Sequence, residues 1–358
     1  MKVVVIGAGY AGTLAANRLA RKVKSAQITM ISPRPDFVER IRLHQHIAGT
    51  GTAATPLASM LHRSITARIG TVEKIGDGTV ALDDGGSIDF DYALLAVGST
   101  VTPMHRTVPV GTWESAERAR AALASLPSGA TVTVIGGGPT GIETAAEVAG
   151  ARPDLRVRLV GTSVAGSFSD AARQRIRAGL QRLNAEVIDD DVTEVSAGAG
   201  QFEGTVHLQS GAEFTSDLTL WAVVSGTPDL ATRSGLEVNP EGRAVVDEFL
   251  RSVSDNRIFV IGDCAAVPGA RPACQTATPQ ASHAANALVR LAQGRTPKPH
   301  STRYVARAIS LGRRDAVVQF TRRDDSVRRS FASGAAAVVL KEVASGGAKW
   351  VARIGPNI

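Results

Sequence analysis

The sequence predicts an α/β chain of two parallel-sheet domains, the second inserted in the first, plus a small α+β C-terminal segment. Three observations predict it. A short β-branched run, a glycine turn and an alanine-rich helix occur in order twice, from Val3 and again from Thr131. A second strand-like run follows each copy, Gln27–Ile31 and Arg156–Val160, which makes each a βαβ unit with a right-handed crossover. The apolar runs are continuous rather than alternating, as in strands buried on both faces of a parallel sheet.

The 358 residues, 44% hydrophobic and 20% charged, suffice for two or three domains with cores of their own. The expected division is 1–108 with 240–296 as a split first domain, 109–239 as the inserted second, and 300–358 as the C-terminal segment. Between the repeats, hairpin-like strands are expected at Ala67–Glu73, Thr79–Leu82 and Ser87–Phe90, with Asp83-Asp84-Gly85-Gly86 supplying turn residues. Tyr92–Val97 reads as a buried strand. Strands follow at Glu186–Val195, Gly204–Gln209, Phe214–Val224, Val245–Phe249 and Arg257–Ile261, and a helix at Thr278–Gln293. The last segment reads strand, strand, helix, with the helix at Ala332–Val343.

The glycine turns carry the chemistry. A dinucleotide's pyrophosphate needs close approach of backbone and free N–H groups at a helix N-terminus. In the first copy Gly7 permits the turn, Gly9 the approach of phosphate, and Gly12 the packing of helix on strand, with Tyr10 and Ala11 between. Gly136, Gly138 and Gly141 repeat the arrangement, and Pro139 suits a first helical position. One such loop is weak evidence of a nucleotide; two, each in strand–turn–helix context, define a pair of Rossmann-like domains.

With these motifs the sequence resembles the two-dinucleotide-binding flavoproteins. It is most similar to the group of type II NADH dehydrogenases and of quinone reductases of the apoptosis-inducing-factor and ferroptosis-suppressor type. Tyr92-Ala93-Leu94-Leu95-Ala96-Val97-Gly98-Ser99 resembles the family's strand and turn between domains, and Arg257-Ile258-Phe259-Val260-Ile261-Gly262-Asp263 its second FAD signature. The resemblance implies FAD on the first loop and NADH or NADPH on the second. It implies hydride transfer from NAD(P)H to flavin, and electrons onward to a quinone-like acceptor. It assigns Gly98, Gly262 and Asp263 to FAD, with the Asp263 carboxylate on the ribityl chain. It places Glu143 near nicotinamide and flavin. It puts Gln280 and Gln275 beside a quinone pocket, whose opposite wall, Glu39–Gln45, contains Arg40, Arg42 and His44.

Two positions depart from the family pattern. An acid ordinarily ends the second strand of each unit and takes the ribose hydroxyls. Here Ser32 stands in the first, with Arg34 expected over the adenine, and Gly161 in the second. Losing the acid at Gly161 removes repulsion against a 2′-phosphate, but no Arg follows at once, so NADH and NADPH stay equally open.

Other chemistries are disfavoured. The stretch from Gly12 to Gly51 has no cysteine, so a redox-active disulfide is not expected; Cys264 and Cys274 read as small packing residues. The seven His lack metal-ligand spacing, and no nucleophile elbow occurs. From Ser301 onward eleven Lys and Arg face four Asp and Glu, which accounts for the whole net charge of +7. With aromatics at 4%, nucleic acid is not the expected partner. Arg313, Arg314, Arg322, Arg323, Arg328 and Arg329 precede a helical face of Ala332, Ala336, Val339, Leu340 and Val343, with Trp350 and Ile354 beyond. Such a segment suits an anionic membrane surface or packs on the first domain. No signal peptide or spanning segment is read, so the expected setting is cytoplasmic, free or peripheral to the inner membrane face. A homodimer is open. The alternative functions are a reductase of a small ferredoxin-type carrier and a slowly turning flavin redox sensor.

Overall fold

The computed structural model describes residues 1–198 and 200–356. Lys2–Ile6 lies at the centre of a five-stranded parallel sheet ordered Ile258–Val260, Tyr92–Leu95, Lys2–Ile6, Gln27–Ser32, Ile65–Ile69. The helices Tyr10–Lys22 and Cys274–Ala292 pack against each other over it. A second parallel sheet is ordered Val108–Pro109, Leu218–Trp221, Thr131–Ile135, Arg156–Val160, Ala185–Ile188. The continuous apolar runs are accounted for: Val3, Val4, Val5, Val132 and Val134 are all essentially inaccessible.

The local differences have simple causes. Ala67–Glu73 is not one strand. Ile65–Ile69 joins the first sheet at its edge, and Gly70 N–H is taken by Ser32 O at 2.9 Å, so the chain turns there. Val72–Gly76, Thr79–Leu82 and Ser87–Asp89 then form an antiparallel meander, closed through Gly85 at φ +80° as the Asp-Gly chemistry requires. Glu186–Val195 divides into Ala185–Ile188 and Val192–Ala197, since three aspartates, 189–191, interrupt it. Val245–Phe249 leaves only Ala244–Val245 as strand. The helix expected from Thr278 begins at Cys274 and runs through Pro279, which lies inside it and forgoes the bond its N–H would make to Gln275 O.

The C-terminal segment differs most. Three antiparallel strands, Ala306–Ser310, Ala316–Thr321 and Val327–Ser333, precede a helix over Ala335–Ile354. Ala332 is therefore in a strand, and the helix extends well past Val343. This segment braces both domains. Asn17 Nδ2 donates to Ala352 O at 2.8 Å, and Gly355 lies so close to Arg18 that a Cβ there would be 2.6 Å from its backbone N. Toward the second domain, the Asp315 carboxylate pairs with Arg175 and Arg182 at 2.7 Å, and Gln319 Oε1 accepts from Ser169 Oγ at 2.7 Å.

Candidate functional site

Both glycine loops have the shape an anion cradle needs. A Cβ on Gly12 would stand 1.9 Å from Gly7 O, so the helix Tyr10–Lys22 packs on its strand only through glycine. A Cβ on Gly9 would meet nothing within 4 Å, because the space above it is open. Gly141 repeats the first relation, at 1.8 Å from Gly136 O, and Gly138 the second. Neither helix has a side-chain cap or an acid in its first turn, so the leading N–H groups and the positive dipole end face that space. Pro139 is at a first-turn position as expected. The chain's own residues thus fit two pyrophosphates.

Asp263 completes the first cradle from a distant part of the chain. It follows Gly262, at φ +80°, in a single 3₁₀ turn, and its Oδ2 accepts from Ser99 Oγ at 3.0 Å. Arg40 is bound beside it, donating to Ser99 O (3.0 Å), Ser99 Oγ (3.1 Å) and Gly111 O (3.0 Å). Gly98 passes just beneath, with a Cβ position 3.4 Å from Arg40 Nη1. Arg40 therefore ties Ser99 to Gly111, at the two ends of one connection between the sheets. Burial lowers its pKa from the usual guanidinium range, and the Asp263 charge opposes that.

The remaining first-domain residues are committed as follows. Ser32 is buried, and its hydroxyl accepts from Arg34 N at 3.3 Å. The Arg34 guanidinium pairs with Glu114 of the second domain, Nη2 to Oε2 2.7 Å. Gln280 is 2% exposed and its Oε1 accepts from Gly262 N at 2.7 Å. It therefore buttresses the Gly262–Asp263 turn instead of lining a pocket wall. Gln275, with its amide oriented to satisfy both bonds, donates to Ala306 O (2.9 Å) and accepts from Val305 N (2.8 Å), so it fastens the C-terminal segment. Ala11 packs in the core. Cys264 and Cys274 are free thiols, both pushed up to about 11 by burial.

Glu143 is the fifth residue of helix Pro139–Ala151, one turn deeper than a dipole partner would be. Its Oε1 accepts from Ser310 N at 3.0 Å and Ser310 Oγ at 3.2 Å, and its carboxylate pairs with Lys341. His44 approaches from the other side, Nδ1 4.0 Å from Glu143 Oε2 and Nε2 3.4 Å from Ser310 Oγ. Burial first, then the charges of Lys341, Arg313 and Arg42, hold His44 well below the usual histidine range, so its imidazole is neutral. Burial brings the Lys341 ammonium down to about 7.

A chain of polar contacts links this cluster to the first glycine loop. Tyr10 Oη donates to Glu39 Oε2 at 3.3 Å, and burial together with Glu39 pushes that phenol far up. Glu39 also holds Lys349 Nζ at 2.7 Å and lies 3.5 Å from Arg42 Nε. Arg42 Nη2 donates to Glu342 Oε2 at 2.7 Å, and Glu342 adjoins Lys341. Behind it, Glu147 is 1% exposed, bonded by Thr50, and raised in pKa by burial. The structure thus brings Glu143 and His44 together and keeps Gln275 and Gln280 elsewhere. Sequence reasoning missed Ser310, Lys341 and Ser99. A Lys-Glu pair interrupting the apolar run Ala335–Val343 was the signal for Lys341; Ser310 carried none.

Two Rossmann-like sheets with open glycine cradles, one completed by a late Gly-Asp turn, define a flavoprotein that also binds a nicotinamide nucleotide. Residues 1–287 match the family described as pyridine nucleotide-disulphide oxidoreductase, and the chain belongs to it. An NADH dehydrogenase-like protein of Mycobacterium tuberculosis is 29% identical over 301 residues, 74% of this chain and 73% of that protein. Ferroptosis suppressor protein 1 of Xenopus laevis is 23% identical over 339 residues, 89% of this chain and 88% of its own. Rubredoxin-NAD(+) reductase of Ectopseudomonas oleovorans is 28% identical over 288 residues, covering 74% and 72%. Among solved structures, the sulfide:quinone oxidoreductase of Aquifex aeolicus superposes with TM-score 0.80 at 20% identity, over 99% of this chain and 92% of that one. NDH2 of Plasmodium falciparum in complex with NADH gives 0.80 at 15%, over 99% and 96%. The protein is an NAD(P)H-dependent flavoprotein oxidoreductase with FAD and NAD(P)H as cofactors.

Proposed function

We propose that the first loop, Gly7–Gly12 with Asp263, holds FAD, that Gly136–Gly141 holds NAD(P)H, and that electrons leave for a quinone-like acceptor without a redox disulfide. The observation that carries this is the buried group of Glu143, Ser310, His44 and Lys341, which joins the second domain's glycine helix, the first domain and the C-terminal segment. The bound flavin would supply hydride acceptance and onward electron transfer. The protein's own part is positional and electrostatic. Gly9 and Gly138 admit phosphates, and Asp263, fixed by Ser99, accepts hydroxyl hydrogen bonds. Gln280 holds the turn that carries Asp263. Glu143 and Lys341 exclude bulk water and keep an exchangeable proton near the neutral imidazole of His44. No cysteine lies between Gly12 and Gly51, and both thiols present are buried by position or half-buried, with pKa raised, which supports direct transfer to an outside acceptor.

Anaerobic reduction of the yellow protein by NADH and by NADPH, followed by a panel of acceptors, tests this. Fast flavin reduction with turnover on short-chain quinones is expected. A second reading, a reductase of a small iron–sulfur or rubredoxin-type carrier, draws on the similarity to rubredoxin reductase and on the basic hairpin carrying Arg322, Arg323, Arg328 and Arg329. Salt-sensitive turnover on such carriers and none on quinones would select it. Flavin reduction too slow for turnover with either nucleotide would select the redox sensor.

We also propose that the C-terminal helix touches a membrane surface. Its inner side is taken by Lys341, Glu342 and Lys349, while Val339, Leu340, Val343 and Trp350 stand 61%, 46%, 68% and 56% exposed. Among the described residues no helix is long and apolar enough to cross a membrane.

A further inference from the structure

The second nucleotide loop lacks the carboxylate that would hold a ribose diol, and its backbone leaves no room for one. A Cβ at Gly161 would lie 2.5 Å from Gly137 N and 2.8 Å from Gly137 Cα. The loop 161–166 is drawn onto the glycine turn, with Ala165 N–H bonded to Gly137 O at 2.9 Å. A charged side chain that reads the 2′ position therefore cannot stand at 161, and the rest of the loop, Thr162 to Gly166, offers hydroxyls but no charge.

Two guanidiniums and one carboxylate surround this loop. Gly161 N donates to Ile188 O at 3.1 Å, which brings the end of strand Ala185–Ile188, and with it Asp189, alongside. Asp189 Oδ1 accepts from Val164 N at 3.4 Å and from Arg177 Nη2 at 2.5 Å. Arg173, one turn earlier on helix Asp170–Arg182, donates to Gly166 O at 3.4 Å, and its Nε is buried without a partner among the described residues. Both arginine charges hold the Asp189 carboxyl below its usual range. Asp190 is turned away, capping Asp191 N and Ser210 N, and Glu186 is paired with Arg158 at 2.8 Å. The balance around loop 161–166 is cationic. A diol calls for a carboxylate acceptor, whereas a phosphate calls for guanidinium donors.

We propose that the site selects a 2′-phosphorylated nicotinamide nucleotide, NADPH over NADH, with Arg173 and Arg177 receiving the 2′-phosphate and Asp189 holding Arg177 until it arrives. This rests on the reading of Gly136–Gly141 as the nicotinamide-nucleotide loop. Arg177 exchanges one oxyanion partner for another, and Arg173 gains one for its unpartnered Nε.

The test is calorimetric binding of 2′,5′-ADP and of 5′-AMP to the holoenzyme, a readout independent of turnover. The expected result is at least tenfold tighter binding of 2′,5′-ADP. Arg177→Ala and Arg173→Ala should each erase most of that preference and leave 5′-AMP binding unchanged, with melting temperatures confirming that the variants fold. Equal binding of the two probes, tighter binding of 5′-AMP, or equal loss of both in the variants overturns the inference while leaving the loop a nucleotide site. Binding of neither probe overturns the assignment of the loop as well.

Discussion

Glu143 accepts a hydrogen bond at 3.0 Å from the backbone N–H of Ser310, so a carboxylate of the inserted domain is oriented by the C-terminal segment. Because the donor is main chain, Ser310→Ala should keep it, losing the hydroxyl's longer contacts to Glu143 (3.2 Å), His44 Nε2 (3.4 Å) and Lys341 Nζ (3.3 Å). We expect a cost of about 1 kcal/mol in stability and less than about a threefold change in kcat. Glu143→Gln keeps the shape and removes the charge facing Lys341. Its kcat should fall about tenfold or more, equivalent to about 1.4 kcal/mol, with the nucleotide KM nearly constant. Steady-state kinetics combined with single-turnover flavin reduction separates the two variants; equal effects would remove Glu143 from the site.

Lys341 gives a signed pH dependence. Its ammonium falls from 10.5 to about 7 on folding because burial penalises the charge. Between those values the unfolded chain keeps the proton and the folded chain releases it, so stability from this group rises with pH across the window. Below about 7 and above 10.5 both states bind alike, and the contribution is flat. The difference in melting temperature between wild type and Lys341→Met, plotted against pH, should climb from about 7 and level off near 10.5. A difference that is constant with pH would refute the shift.

The glycines of the first loop separate folding from cofactor binding. Gly9 has ordinary extended backbone, φ −76° and ψ −172°, and open space where a Cβ would go. Gly9→Val should therefore leave the melting temperature of the flavin-free protein unchanged and abolish the yellow colour of the purified protein. Gly12→Ala drives a methyl into Gly7 O and should destabilise the fold by more than about 2 kcal/mol. Chemical denaturation of the two apoproteins, with the flavin absorbance of the holoproteins, checks both; a stable, yellow Gly9→Val would remove the loop from the FAD site.

The exposed face of the C-terminal helix predicts lipid binding. Val343→Ser with Trp350→Ser removes two of its largest apolar side chains without touching Lys341, Glu342 or Lys349. We expect pelleting with anionic vesicles for the wild type and at least a tenfold weaker partition for the double variant. Equal partition of both proteins would leave that face without a lipid role.

The parts of the molecule that were legible from sequence are those governed by local rules. A continuous Val3–Ile6 or Thr131–Ile135 announces a doubly covered strand, and Gly7, Gly9 and Gly12 announce the turn after it, because each requirement is met within a few residues. Of the candidate site, Glu143 and Asp263 could be named because a motif adjoins one of these elements, and His44 because it lies in the stretch after the first βαβ unit. Gln280 has the right residue type in the right stretch, yet helix Cys274–Ala292 begins a turn earlier than expected and directs it at Gly262 N. Lys341 and Ser310 reach Glu143 only because the C-terminal segment folds back over both domains, a tertiary relation that no local pattern encodes. The bond from Gly161 N to Ile188 O, which brings Asp189 and its partner Arg177 alongside the loop, lies between strands and is likewise encoded in no local pattern.

The pairing of Ile258–Val260 with Tyr92–Leu95 has a consequence for how the chain is made. The second sheet draws all its strands from one stretch, residues 108 to 221, whereas the first waits for an edge strand that leaves the ribosome after the whole of that stretch. The strands of the inserted domain's sheet are therefore all made first, although Ile309, Leu311 and Val317 of the C-terminal segment join its core last. The flavin-binding sheet, although it begins the chain, closes late, with Asp263 arriving immediately behind its last strand. If Asp263 holds flavin as proposed, it reaches the site only after every strand of the second sheet has been made.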